Sequence, residues 1–375
     1  MRLAFCILKF FPYGGLQRDF LRIAESCVRR GHEVDVYTRS WEGDVPAALR
    51  VTTLPARGLS NHSRHWSFYQ GVKARLAGAS YDAVIGFNKM PGLDVYFSGD
   101  VCFKARALKR SPLYRLTARY RRFALMEEAV FSPDAVTQIL LLVESDREVY
   151  MKQYGTPADR FHILPPDVPE DRHAPPDRER ARIKARMELG ITENQTLILA
   201  LGSGFKVKGL DRSLEAIAAL PAEIRKKTKF MVIGQDNPRP FQRLSKRLGL
   251  DGQISFLGGR DDAPRFLMAA DLLLHPAYFE AAGTVLLEAM AAGVPVLTTD
   301  TCGFAPHIQR ANAGLVLTSP FSQVALNRSL SAMLSAAEPW GDRGLAYIRS
   351  IDVGSRADYA ADILERTAHN RGRTR

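Results

Sequence analysis

The run Leu272-Leu273-Leu274-His275-Pro276-Ala277-Tyr278-Phe279-Glu280-Ala281-Ala282-Gly283-Thr284-Val285-Leu286-Leu287-Glu288-Ala289-Met290-Ala291-Ala292-Gly293-Val294-Pro295-Val296-Leu297 holds three kinds of segment in order. Leu272–Leu274 is short and apolar and reads as a buried strand, as does the stretch from Val294. Between them, Thr284–Ala292 is rich in helix formers, and Gly293 supplies a helix C-terminus. Strand, helix and strand in this order is the repeating unit of a parallel sheet. Gly283 falls at the first helical turn, where unpaired N–H groups and the positive dipole end favour an anion such as a phosphate. Glu280 stands just ahead of that turn and Glu288 in the second turn. One carboxylate for hydroxyls on either side of a diphosphate suits a nucleotide sugar. Spacing alone fits a dipole-matched pair of surface glutamates as well.

Outward from this run the same alternation covers the chain. In the first half, Leu3–Phe10, Glu33–Thr38, Tyr81–Phe87, Val95–Ser98, Val136–Val143 and Phe161–Leu164 read as strands. Leu16–Arg30 has helical apolar spacing and stops at Gly31-His32. In the second half, Thr196–Gly202, Lys229–Ile233, Ile254–Leu257, Leu272–Leu274, Val294–Thr298 and Leu315–Leu317 repeat the pattern. Pro165-Pro166, Pro169 and Pro175-Pro176 punctuate the polar stretch between the halves. Over 375 residues this predicts an α/β protein of two Rossmann-like doubly wound domains, 1–165 and 166–350. Residues 351–375 contain a last helix, from about Val353 to Ala368.

At 46% hydrophobic and 25% charged residues, the composition excludes a disordered chain. No apolar stretch approaches the ~20 residues that span a bilayer. Met1–Lys9 reads as a first strand and not as a secretion signal. Cys6, Cys27, Cys102 and Cys302 are scattered without metal-ligand spacing, as expected of single thiols in a reducing cytosol. The net charge of +12 implies an anionic partner. Lys104, Arg106, Lys109, Arg110, Arg115, Arg119, Arg121 and Arg122 crowd the segment from Phe103 to Met126, which holds no acid. Ser111-Pro112 offers a cap and a proline at the first helical position. Leu113, Leu116, Tyr120 and Phe123 then recur at helical spacing. Such a basic amphipathic helix fits an anionic leaflet, a nucleic-acid groove, or a packed helix with a solvated face.

Other motifs stand at predicted strand ends, where open α/β sheets bind ligands. Gly14-Gly15 follows the first strand and opens a helix, fitting either close approach to a ligand or a plain tight turn. Gly202-Ser203-Gly204-Phe205-Lys206-Val207-Lys208-Gly209 lacks the dinucleotide glycine spacing, and no Walker lysine pattern occurs, which argues against a nicotinamide dehydrogenase. Gly86–Cys102 is polar and glycine-rich, with Asn88, Lys89 and Asp100 as candidates to face an acceptor.

The Glu280–Glu288 run resembles the two-glutamate motif of the retaining glycosyltransferases of family four. That resemblance implies the GT-B fold, two facing Rossmann-like domains, and gives each motif a role. Glu280 contacts the donor sugar, Ala281, Ala282 and Gly283 present amides to the phosphates, and Glu288 holds the ribose. Gly14 and Gly15 meet the diphosphate, with Asp19 nearby. Lys208 neutralises the leaving diphosphate. Ser203 and Val207 stand where relatives carry an arginine, and Lys206 is a shifted substitute. Asp100 occupies the neighbourhood of a histidine common among relatives, and the loop holding Arg260 meets the base through its backbone. The terminal helix is expected to pack back on the first domain.

Further runs, among them Phe11–Phe20, Tyr37–Asp44, Gly86–Phe97 and His275–Tyr278, are similar to the lipopolysaccharide-core glucosyltransferases of that family. UDP-glucose is then the donor and an inner-core heptose the acceptor, without a metal, at the cytoplasmic face of the inner membrane. Lys104, Arg106, Lys109, Arg110, Arg115, Arg119 and Arg122 would face its anionic surface, and no nucleic acid is expected. The alternatives are another hexose donor (galactose, N-acetylglucosamine or mannose) and a nonenzymatic protein that binds anionic membrane or RNA.

Overall fold

A computed structural model describes residues 1–55, 57–351 and 355–373. The chain divides into two compact units: unit 1 comprises Met1–Pro166 with Gly354–Arg375, and unit 2 comprises Asp167–Val353.

Unit 1 is built on seven parallel strands, β1 (Arg2–Phe10), β2 (Glu33–Trp41), β3 (Leu49–Thr53), β4 (Ala83–Gly86), β5 (Val95–Ser98), β6 (Gln138–Leu141) and β7 (Phe161–Ile163). They lie in the order β3-β2-β1-β4-β5-β6-β7. β1 is central, with Leu3 opposite Val34 on one side and Ala83 on the other. Its residues are buried almost throughout, the expected reading of a parallel strand covered on both faces. β3 was not foreseen, because it lies at the sheet edge and only Leu49 is fully buried. Helix Arg356–Arg373 lies against helix Gly15–Arg29, tied by Ser26 Oγ to Asp358 at 2.5 Å, Arg30 to Asp362 at 2.6 Å and His32 to Glu365 at 2.7 Å. Val353, where this helix was expected to begin, lies outside the described residues.

Unit 2 repeats the plan with β8 (Thr196–Leu201), β9 (Thr228–Ile233), β10 (Ile254–Phe256), β11 (Leu272–His275), β12 (Val296–Thr299) and β13 (Gly314–Leu317). The order is β10-β9-β8-β11-β12-β13, again all parallel. Chain direction across the sheet therefore reverses between β8 and β11, and in unit 1 between β1 and β4. A switch point of this kind leaves a crevice outside the strands' carboxyl ends, the place where such sheets bind ligands.

The basic segment is not one amphipathic helix. It forms helix Phe103–Leu108, a 3-10 turn at Pro112–Leu116 and helix Ala118–Phe131. Thr117 breaks the run: its backbone is extended, and its hydroxyl accepts the Tyr120 N–H at 3.2 Å as a helix cap. Ser111 makes no side-chain cap. Leu113 and Leu116 are 72% and 65% exposed, whereas Tyr120 and Phe123 pack their rings on Phe103.

Candidate active site

At the unit 2 switch point, the loop leaving β8 passes close to the exit of β11. Gly209 has φ +74°, and a Cβ there would stand 2.0 Å from the Pro276 carbonyl oxygen, so only glycine permits the approach. The Tyr278 N–H donates to the Val207 carbonyl at 2.8 Å and stitches the two exits together. This delivers the Lys208 ammonium into direct contact with Glu280 Oε2. The Glu280 backbone is itself fixed, its N–H donating to Thr301 at 3.0 Å and its carbonyl accepting from Gly303 at 3.3 Å. His275, the last residue of β11 and 2% exposed, places Nε2 3.3 Å from the same Oε2. Burial pulls the Lys208 ammonium down to about 8. Burial, and next the Lys208 charge, push His275 down to about 3. Three residues later Gly283, at φ +81°, opens helix Thr284–Ala291. A cation, a fixed carboxylate and a helix N-terminus thus stand together, a setting able to hold an anion joined to a hydroxyl-bearing group.

The other donor candidates of unit 2 fall into two sets. Glu288 is 2% exposed, with Arg172 Nη1 3.6 Å from its Oε2. Ala282 is buried and its carbonyl accepts the Phe304 N–H at 2.7 Å, while Ala281 is half-buried. Lys206 is instead held by Asp211 at 2.5 Å and the Tyr278 hydroxyl at 3.2 Å. Arg260 spends its guanidinium on both oxygens of Asp262, at 2.6 and 2.8 Å. Arg212 is flanked by the rings of Tyr278 and Phe321, each 3.6 Å away.

In unit 1, the candidates follow β1, β4 and β5. Gly14 precedes helix Gly15–Arg29 with ordinary negative φ. Its lack of a side chain makes room for Gln17, whose Oε1 would lie 1.8 Å from a Cβ and whose amide reaches the Lys9 carbonyl at 3.0 Å. Asp19 pairs with Arg356 of the terminal helix at 3.0 Å. Asn88 accepts the Leu8 N–H at 2.7 Å. Lys89 donates to Glu127 at 2.5 Å and to the Val101 carbonyl at 3.1 Å. Asp100 is exposed, while its carbonyl accepts the Tyr150 hydroxyl at 3.1 Å. Of the basic residues, Lys104 turns inward to the Gln153 carbonyl at 2.7 Å. Arg106, Lys109, Arg110, Arg115 and Arg119 are exposed, Arg122 is half-buried, and Arg121, outside that set, is exposed as well.

Four residues of these surroundings escaped the sequence reading. His275 stood only within a run that carries the family resemblance and had no role, Arg172 stood in the polar stretch between the halves, and His65, whose ring lies against Phe123, in no motif. Glu127 lies just beyond the acid-free basic segment and belongs to no motif, yet it is wholly buried. Two larger hollows, about 820 Å³ beside Lys73 and Arg371 and about 770 Å³ beside Arg239, Arg243 and Lys246, are lined by none of the candidate residues. Among the described residues no helix is long and apolar enough to cross a membrane.

Known proteins are similar to this chain in sequence and fold. Residues 13–172 match the family Glycosyltransferase Family 4, and residues 181–339 match Glycosyl transferases group 1. The chain is 46% identical over 368 residues to lipopolysaccharide glucosyltransferase WaaG of Escherichia coli, covering 97% of this chain and 98% of that one. It is 25% identical to D-inositol 3-phosphate glycosyltransferase of Nocardia farcinica, over 81% of this chain and 73% of the other. The crystal structure of WaaG, a glycosyltransferase involved in lipopolysaccharide biosynthesis, superposes with a TM-score of 0.94 at 45% identity, over 96% of this chain and 99% of that one. Anabaena HepE in complex with UDP-glucose shares the fold, with a TM-score of 0.69 at 17% identity over 99% of each chain.

Proposed function

Because this chain belongs to the family-four glycosyltransferases, among the lipopolysaccharide glucosyltransferases, we propose that it transfers glucose from UDP-glucose to an inner-core heptose with retention of configuration. The observation that carries this reading is the cluster of Lys208, His275 and Glu280 at the unit 2 switch point, beside the helix that starts at Gly283. Lys208 stabilises the charge that grows on the departing diphosphate, helped by the amides near Gly283. Glu280 holds sugar hydroxyls, and Glu288 holds the ribose. The acceptor oxygen attacks the anomeric carbon from the face the diphosphate leaves, and the departing phosphate oxygen takes the acceptor's proton. The protein contributes position and charge, and the reading gives no step to a metal. Asp100 and the exposed cations of the basic segment serve the acceptor and an anionic membrane face. A donor panel of UDP-glucose, UDP-galactose, UDP-N-acetylglucosamine and a mannose nucleotide tests the reading, with heptose-terminated lipopolysaccharide as acceptor and linkage analysis of the product. An α-linked glucose is expected. Transfer of a different hexose would replace the donor assignment, and no transfer from any donor would end the enzyme reading.

Three results follow from the geometry. Glu288→Ala is expected to raise donor KM by roughly 10–100-fold, the loss of a charged hydrogen bond, with kcat within a few-fold of wild type. Initial rates across donor concentrations check it. Burial disfavours the Lys208 charge and the touching Glu280 carboxylate favours it, so kcat/KM falls as pH rises through the alkaline range in which that ammonium is lost. Lys208→Arg should abolish that alkaline limb. Arg115→Ala, Arg119→Ala and Arg121→Ala combined should weaken binding to anionic vesicles about 100-fold, at about 1 kcal/mol per cation. Flotation against neutral vesicles and RNA separates this from nonspecific or nucleic-acid binding.

A further inference from the structure

We propose that His275 is a positioning residue that holds the Glu280 carboxylate for the donor's sugar while Lys208 turns to the diphosphate; this rests on the donor reading above. Among the described residues, both partners of the Glu280 carboxylate converge on one oxygen, Oε2, which takes the Lys208 ammonium and the His275 Nε2–H. The carboxylate only accepts, so the imidazole carries its proton on Nε2. Among the described residues Oε1 has no hydrogen-bond partner, which leaves it for a sugar hydroxyl.

The two holders of Oε2 differ in kind. Lys208 sits on a flexible stem and is the cation a diphosphate would attract. His275 cannot leave. It ends β11 opposite Thr298 of β12, the Thr298 hydroxyl donates to its carbonyl at 2.9 Å, and its side chain is buried. Burial keeps the ring neutral across the working pH range, so it never competes with Lys208 as a second cation. When the diphosphate draws Lys208 away, His275 is the remaining protein donor on Oε2 and fixes the carboxylate plane. The diphosphate and the sugar are therefore sensed by different side chains, and His275 acts only on the sugar.

UDP and UDP-glucose dissociation constants of three full-length proteins test this: wild type, His275→Gln and His275→Asn. The glutamine amide reaches the position of Nε2, whereas the shorter asparagine amide does not, and the two differ by one methylene. UDP should bind all three within about twofold. UDP-glucose should bind His275→Gln like wild type and His275→Asn about 10–100-fold more weakly, the range for a lost hydrogen bond to a charged group. The KM for UDP-glucose should follow the same ranking. Equal UDP-glucose binding by His275→Asn and wild type would overturn the inference. So would equal losses for both variants, or parallel losses for UDP, because these mark a structural role. A wild type that binds neither ligand overturns the donor reading itself and this inference with it.

Discussion

Lys208→Ala is expected to lower kcat at saturating donor by about 10²–10³-fold, the usual cost of removing one preorganised charge from a transition state. The neighbouring cations are already engaged elsewhere. Lys206 is engaged by Asp211 at 2.5 Å, Arg260 by Asp262 at 2.6 Å, and Arg212 by two aromatic rings. None is positioned to replace an ammonium that already touches Glu280 in a half-buried setting, where each charge counts for more than in open water. The sequence reading held Lys206 as a substitute for the missing arginine; its engagement with Asp211 places the burden on Lys208. Because the substitution also leaves Glu280 with His275 alone, melting must be recorded beside the rate. Single-turnover kinetics at saturating UDP-glucose isolate the chemical step. Near wild-type turnover would remove Lys208 from catalysis.

Much of the fold was legible because parallel strands buried on both faces are written as continuous apolar runs. Val95–Ser98 was read to the residue, and most other strands to within two or three. The Glu280–Glu288 helix was legible because its glycines stand at its two ends and mark both termini. What escaped are contacts made across the fold. Lys89 and Glu127 are 38 residues apart, and nothing local says that a lysine after a polar strand end is neutralised from a distant helix. His275 sits in a stretch whose apolar neighbours explain its burial without reference to Glu280. The apolar spacing of Leu113, Leu116, Tyr120 and Phe123 runs straight through Thr117, yet a threonine hydroxyl can cap the next helix as readily as sit inside one. β3 shows the opposite failure, an edge strand too mixed in exposure to announce itself.

Glu127→Ala should produce the largest loss of stability, about 3–5 kcal/mol, because it removes one partner of a buried ion pair and strands the other. The carboxylate is wholly buried and serves four groups besides the Cys102 thiol: the Lys89 ammonium at 2.5 Å, the Phe103 and Lys104 N–H groups at 2.7 and 2.8 Å, and the Tyr154 hydroxyl at 2.6 Å. Burial works against its charge, but Lys89 and these donors outweigh burial and keep the carboxyl below its ordinary range. A carboxyl depressed in this way stabilises the fold above its unfolded value and loses that contribution as pH falls through its folded one, so wild type should be more acid-sensitive than its excess of cations alone implies. Replacing both Lys89 and Glu127 by leucine should recover part of the loss, since no buried charge is then left alone. Denaturant melts of Lys89→Leu, Glu127→Leu and the double leucine variant measure the coupling. An unchanged melt for Glu127→Ala would show that the interaction is incidental. The two N–H groups are the first of helix Phe103–Leu108, so Glu127 also anchors the start of the basic segment from below. Its loss should therefore weaken anionic-vesicle binding even though no surface cation has changed. The double leucine variant, more stable than the single one but also lacking that anchor, should bind vesicles as poorly as the single one, separating the fold's stability from the order of its basic face.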